Sequence, residues 1–344
     1  MVAMKRIIIG LGCVLIALVL ATGAMIGYAL THQHPPESTG TSDLTNYNLE
    51  IMLARPEGWA RIIDEPIIDE KDMVILDGST ATIPITVELY RQFYGYDDEQ
   101  VAACRVIHHS TTPLAYTALI DHELRSDAEL PVSLILVTPP SWDELNYARR
   151  NGVELDMVPI ALDGFVFITH RDNPVDSLTV QQIQDIYSGK ITNWQELGGN
   201  DVEIIAYQRT PNSGSQTAME QMVMQGIPMQ EAPMTQVPEF MSMLVDAVAE
   251  YENGSASIGY TYYYYINNLY GNENIKVLRI DGVDPSNEHL ISGTYPFATN
   301  YYAIIRGDEP TDSPARILRD FLISPEGQKL IELAGYCGVV NRSE

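Results

Sequence analysis

From about Met73 onward, short runs of β-branched and aromatic residues alternate with longer stretches in which apolar residues recur three and four positions apart. Period two marks strands and a period near 3.6 marks helices. The pattern predicts strands over 73–76, 105–108, 133–137, 164–168, 203–206 and 301–305. It predicts helices over 83–94, 114–123, 180–187, 216–224, 241–251 and 314–322. Strands that alternate with helices point to an α/β fold of mixed, mostly parallel sheets with flanking helices. At 344 residues the chain is long enough for two lobes, each with its own core. No internal repeat is visible.

A different pattern precedes this one. Met1 to Arg6 carries Lys5 and Arg6 into an apolar run from Ile7 to about Leu30. Positive charge followed by some 20 apolar residues directs a chain across a membrane. Residues 1–30 are therefore a signal peptide or a membrane anchor. Thr22, Gly23 and Ala24 offer a cleavage site, and the run is long enough to span a bilayer, so both readings stand. The chain is expected to be exported, to cell surface or periplasm, attached by this segment or released after cleavage. Cys13 sits early in the run, behind Gly10, Leu11 and Gly12, a poor match to a lipidation site. Residues 31–70, with His32, Pro35, Pro36, Ser38, Gly40 and Ser42, read as a linker and N-terminal extension. Cys104 and Cys337 either pair in an oxidising compartment or remain as two buried thiols.

Hydrophobic content of 45% supports a packed core, and a net charge of −26 argues against nucleic acid or an anionic membrane surface as partner. It does not exclude a small anion. Backbone N–H groups, hydroxyls and one arginine at short range outweigh distant charge that salt screens over about 8–10 Å.

Three places repeat one arrangement, in which a strand ends in a hydroxyl-rich turn that opens a helix. The first is Asp77-Gly78-Ser79-Thr80, with Pro84 in the following first turn. The second is Ser110-Thr111-Thr112-Pro113, where Thr112 is the expected N-cap and Pro113 the first helical residue. The third runs from Arg209 through Asn212, Ser213, Gly214, Ser215 and Gln216; Ser213 and Gln216 form an S-x-x-Q capping pattern. A helix N-terminus offers unpaired N–H groups and partial positive charge to an anion. Gly214 lets a ligand approach the backbone, the hydroxyls donate, and Arg209 holds two oxygens at once. Ser and Thr also cap helices that bind nothing, as Thr179 and Gln182 do before the helix at Val180. The third start differs from such caps because Arg209, Gly214 and two serines coincide.

Catalytic signatures are missing. The sequence has no G-x-S-x-G elbow, phosphate-cradling G-x-x-x-x-G-K-[ST] loop or H-E-x-x-H motif. His108 and His109 are adjacent, so on a strand they face opposite sides and do not share a metal. Asp97, Asp98, Glu99, Asp143 and Glu144 read as solvated carboxylates. The tyrosine-rich run from Tyr260 to Tyr265 reads as packing between lobes.

These pieces together resemble the phosphate-binding proteins of ABC transporters, with the type II periplasmic-binding-protein fold. The resemblance runs over 77–341: Asp77 to Pro84, Asn173-Pro174-Val175, Gly189 and Thr192 to Trp194, Arg209 to Gln216, Gly259-Tyr260, Gly282 to Pro285, Tyr295-Pro296, Ser324 to Gln328 and Gly335-Tyr336. It implies two lobes that close on a ligand by hinge motion. Residues 71–165 and 266–344 would form a discontinuous first lobe and 166–265 the second. By matching positions, Ser79, Thr80, Ser110, Thr111 and Thr112 would donate from the first lobe, and Arg209, Ser213, Gly214 and Ser215 from the second. Thr138 stands where the family places an aspartate that accepts the proton of hydrogen phosphate. A hydroxyl accepts and donates, so it gives a weaker basis for rejecting sulfate. The resemblance implies a monomeric, non-catalytic solute-binding protein that carries phosphate or a related oxyanion to ABC permease subunits, without cofactor or metal. The alternative is a surface-anchored sensing or interaction module of the same fold.

Overall fold

The computed structural model describes residues 59–63, 67–68, 72–103, 109–122, 130–250 and 255–339. The N-terminal apolar run, most of the linker, Cys104 and the strand expected over 105–108 lie outside them. In chain order the elements begin with β1 (Leu76–Gly78), α1 (Ile83–Gln92), α2 (Asp98–Ala103), α3 (Thr112–Asp121), β2 (Leu134–Val137), α4 (Trp142–Arg150) and β3 (Leu155–His170). β4 (Ser177–Leu178), α5 (Val180–Tyr187), β5 (Ile205–Ala206), α6 (Gly214–Ala218), α7 (Met241–Ala249), β6 (Ser257–Tyr262), β7 (Ile275–Val277) and β8 (Arg279–Ile280) follow. The chain continues through α8 (Asn287–Ile291), β9 (Ala298–Arg306), α9 (Pro314–Leu322) and α10 (Pro325–Leu333) to β10 (Cys337–Gly338).

β1 lies parallel to β2, and β2 antiparallel to β9. β9 then pairs antiparallel with the first half of β3, from Leu155 to Gly164. From Phe165 onward β3 changes partner and pairs with β6, which carries β5 in parallel on its far side. One 16-residue strand thus carries both sets of pairings. Among the described residues parallel pairing is confined to β1–β2, β5–β6 and β4–β8, and the β2–β9, β9–β3 and β3–β6 pairs are antiparallel. β7 also pairs with β3, at Ile168 to His170, so the chain still lies beside the second half of β3 at residue 277.

The predicted helices over 180–187 and 314–322 match the observed bounds, because each has a cap the sequence shows. Thr179 and Gln182 close a capping box on α5, and Ser313 with Pro314 opens α9. β3 begins nine residues before its predicted start. Pro159 and Asp156 interrupt the apolar run there, and the register shifts between Pro159 and Ala161. The helix expected over 216–224 begins at Gly214 and becomes π-helical from Met219 to Met224. α1 is buried on every side rather than on one stripe. Its polar face is covered by the N-terminal extension: Trp59 Nε1 donates to Glu88 Oε2 at 2.9 Å and the Ile62 N–H to Gln92 Oε1 at 2.8 Å.

Candidate functional site

β1 and β2 end side by side, and their carboxyl ends hold the first-lobe residues, the usual place for a ligand on an open α/β sheet. Asp77 is fully buried at the end of β1. Its Oδ1 accepts the N–H groups of Gly78 and Ser110, and its Oδ2 the Ser110 hydroxyl, all at 2.7 Å. Ser110 therefore directs its proton to Asp77 and keeps lone pairs for another donor. The Ser79 N–H donates to Leu136 O at 3.0 Å, tying the first helix start to β2. His109 is buried between them, with Nδ1 2.7 Å from Ser79 O and Nε2 2.9 Å from Thr86 Oγ1. Thr80 is half-buried.

The second start is built one residue earlier than its sequence suggests. Thr111, not Thr112, is the N-cap, and its side chain makes no capping hydrogen bond. Its φ of 126° is a conformation L-residues rarely adopt. The chain accepts it because the Thr111 N–H is drawn to Gly78 O while Asp77 holds the preceding residue. Thr112 is then the first helical residue, buried, with its hydroxyl toward the seam between the lobes.

Thr138 follows β2 and is 1% exposed. Its hydroxyl lies beside that of Tyr262, yet makes no hydrogen bond of ordinary geometry. The Tyr262 proton goes instead to Gly214 O, at 3.0 Å. Gly214 explains the crowding. A Cβ there would stand 2.8 Å from Thr112 Oγ1 and well inside contact distance of Thr138 Oγ1. The third helix start thus abuts the Thr112 and Thr138 hydroxyls. Two further bonds cross the seam: Asn212 Nδ2 to Asp143 Oδ2 at 3.1 Å, and Gln221 Nε2 to Pro140 O at 3.3 Å.

Around Gly214, the Ser213 side chain accepts the Gln216 N–H, forming half of the expected capping box. The other half is absent because Gln216 Oε1 accepts from the Arg209 N–H at 3.1 Å and from the Tyr260 hydroxyl. The Arg209 guanidinium, 8% exposed, reaches Ser215 Oγ at 3.3 Å, Pro238 O at 3.1 Å and Glu239 O at 2.7 Å. Those carbonyls fix the plane of the guanidinium while its positive charge stays beside the helix start. Burial raises the Tyr260 and Tyr262 hydroxyls well above the ordinary tyrosine range, so both remain neutral donors.

The geometry therefore brings Thr112, Thr138, Ser213, Gly214, Ser215 and Arg209 to one seam, with Ser79, Ser110 and Thr111 on adjoining turns. Its chemistry is that of N–H groups, hydroxyls and one cation. Asp77 has only a faint signal in the sequence, a lone acid at a strand end before Gly78-Ser79. Glu144, expected to be solvated, is not. Glu144 is buried in a capping box with Ser141, and burial pushes its carboxyl up to about 7. The tyrosine run does pack between strands, and its hydroxyls also anchor the third helix start.

The sequence profile of the PBP superfamily domain matches residues 134–326. The phosphate-binding protein PstS of Borreliella burgdorferi is 25% identical over 181 residues, 52% of this chain and 64% of that protein. PstS of Bacillus subtilis is 27% identical over 172 residues, 50% of this chain and 53% of its own length. The chain thus spans between about half and two-thirds of these relatives. A Clostridium perfringens protein assigned to phosphate ABC transport as its substrate-binding component, solved with bound phosphate, superposes with a TM-score of 0.57. It shares 25% identity, and the match covers 77% of this chain and 99% of that one. A phosphate transport receptor from Vibrio cholerae, at 21% identity and a TM-score of 0.56, shares the fold over 78% of this chain.

Proposed function

The chain belongs to the PBP superfamily, and from that premise we propose that it is a non-catalytic, exported solute-binding protein that captures phosphate or a related oxyanion for an ABC permease. The carrying observation is the seam at Gly214, where a buried helix start with Arg209 beside it meets the Thr112 and Thr138 hydroxyls. Such a seam offers an oxyanion directional donors and one compensating charge. The ligand set proposed is Ser79, Thr80, Ser110, Thr111, Thr112, Thr138, Arg209, Ser213, Gly214 and Ser215. The lobes divide near residues 71–165 with 266–344 and 166–265, and the strands between them form the hinge. Residues 1–30 export the chain and either anchor or release it, and it works as a monomer.

Thermal denaturation with a panel of phosphate, sulfate, arsenate, molybdate, phosphonates and small carboxylates tests the reading. A ligand at about 100 times its Kd stabilises the fold by about 2.7 kcal/mol. We expect a shift with phosphate and, because Thr138 supplies a hydroxyl rather than an acid, a shift with sulfate too. Both shifts should vanish in Arg209→Ala, which leaves a buried anion without its cation. No shift with any oxyanion overturns the reading.

A further inference from the structure

Asp163 sits where β3 changes partners. Asp163 pairs with Thr299 and Gly164 with Ala298 on β9, whereas Phe165 already pairs with Tyr262 on β6. Its side chain is 2% exposed and accepts three hydrogen bonds. Oδ1 takes the N–H groups of Gly164 at 2.7 Å and Tyr264 at 3.1 Å, and Oδ2 takes the Tyr301 hydroxyl at 2.9 Å. The donors come from β3, from the turn after β6 and from β9, the three passages of chain through the junction of the lobes. A carboxyl at that point ties together what a hinge has to move apart.

The groups that face it are five tyrosine hydroxyls: Tyr262 on β6, Tyr264 after it, Tyr295 before β9, Tyr301 on β9 and Tyr336 before β10. Burial holds all five neutral. Beyond them, Glu88 on α1 faces Tyr264 and Arg209 faces Tyr262. Two of the tyrosines reach the candidate site itself. Tyr262 donates to Gly214 O, and Tyr336 donates to Ala81 O within the first helix start. Tyr264 stacks on Tyr336 with ring centroids 3.6 Å apart. Three donors favour the carboxylate, but burial outweighs them and raises its pKa from the ordinary 3.8 to about 7.

We propose that Asp163 is a positioning residue of the hinge: neutral, it stays buried in the closed junction beside Gly164, Tyr264 and Tyr301, and on ionising it draws the junction open toward water. Closure then takes up a proton, and lower pH favours the closed form. If the seam binds an oxyanion, as proposed above, affinity falls as pH rises through neutrality.

Hydrogen exchange of the full-length, ligand-free chain in detergent, near pH 6 and near pH 8, reads the opening directly, and comparing proteins at one pH cancels intrinsic exchange. At the lower pH, peptides carrying the Gly164 and Tyr264 amides should exchange equally in wild type and Asp163→Asn. At the higher pH they should exchange faster in wild type. Tyr301→Phe removes a donor that favours the carboxylate, so its opening midpoint should move to higher pH; this variant keeps the test intact if Asp163→Asn fails to fold. Equal protection in all proteins at both pH values overturns the proposal. Calorimetry with phosphate on the same proteins measures the coupling. The wild-type to Asp163→Asn affinity ratio should fall by up to about tenfold per pH unit above neutrality, whereas the titration of phosphate itself cancels. A constant ratio overturns the coupling to binding. Absence of binding at either pH overturns the oxyanion reading, and the exchange result then decides the hinge alone.

Discussion

At Gly214, backbone and side chains of opposite lobes come so close that a single methyl group decides whether they meet. Gly214→Ala places a Cβ against Thr112 Oγ1 and Thr138 Oγ1, both on buried residues. On the function proposed above the clash arises on closure, so the substitution should lower phosphate affinity at least tenfold and change the stability of the ligand-free protein by less than about 1 kcal/mol. Calorimetric titration beside urea denaturation separates the two quantities. An equal loss in both would mean that Gly214 serves the fold rather than the ligand. The importance of this residue was legible in the sequence, because a glycine between two serines at a helix start leaves the backbone bare for close approach. What it touches was not, since Thr112 and Thr138 lie 102 and 76 positions away. Thr111 was misread for a local reason: the sequence favours Thr112 as cap, and the Asp77 hydrogen bonds that move the cap back are tertiary.

Elements were legible where their ends are written in chemistry and obscure where tertiary pairing defines them. α5 and α9 could be read to the residue from Thr179, Gln182, Ser313 and Pro314. β3 could not, because its first half is a strand by virtue of β9 and β10 beside it. The two Thr/Ser-x-x-Gln patterns look alike in sequence and differ in structure. At α5 the box closes both ways, with Thr179 Oγ1 accepting from Gln182 at 3.1 Å and Gln182 Oε1 accepting from Thr179 at 2.8 Å. At α6 the Gln216 side chain is withdrawn to orient Arg209 and Tyr260. At α5 both halves of the box serve the helix, whereas at α6 Ser213 keeps the bond from the Gln216 N–H and the glutamine side chain serves Arg209 and Tyr260. Thr179→Ala should therefore cost about 1 kcal/mol of stability and leave phosphate affinity unchanged. Ser213→Ala should lower affinity by more than its effect on stability. Thermal denaturation and calorimetry on both variants test the distinction, and parallel behaviour of the two would refute it.

Across the whole molecule the charge balance gives stability a pH dependence unlike that of most acidic proteins. Two buried carboxyls, Glu144 and Asp163, are pushed up to about 7 by burial, on different elements and with different hydrogen-bond donors. A carboxyl raised above its unfolded value leaves the native state binding more protons than the unfolded one. Stability is then complete below about pH 4 and lost as pH rises through about 7, by up to about 1.4 kcal/mol per pH unit and group. The exposed carboxylates lowered by neighbouring cations and donors, Asp176, Asp185, Asp284 and Asp308, titrate below that window and do not oppose the trend within it. Relief of repulsion in a chain of charge −26 acts in the same direction. Urea denaturation should therefore give a higher midpoint near pH 5 than near pH 8, and Glu144→Gln should remove roughly half of the slope between them. A midpoint that rises with pH over this interval would show that both carboxyls are ionised in the native protein.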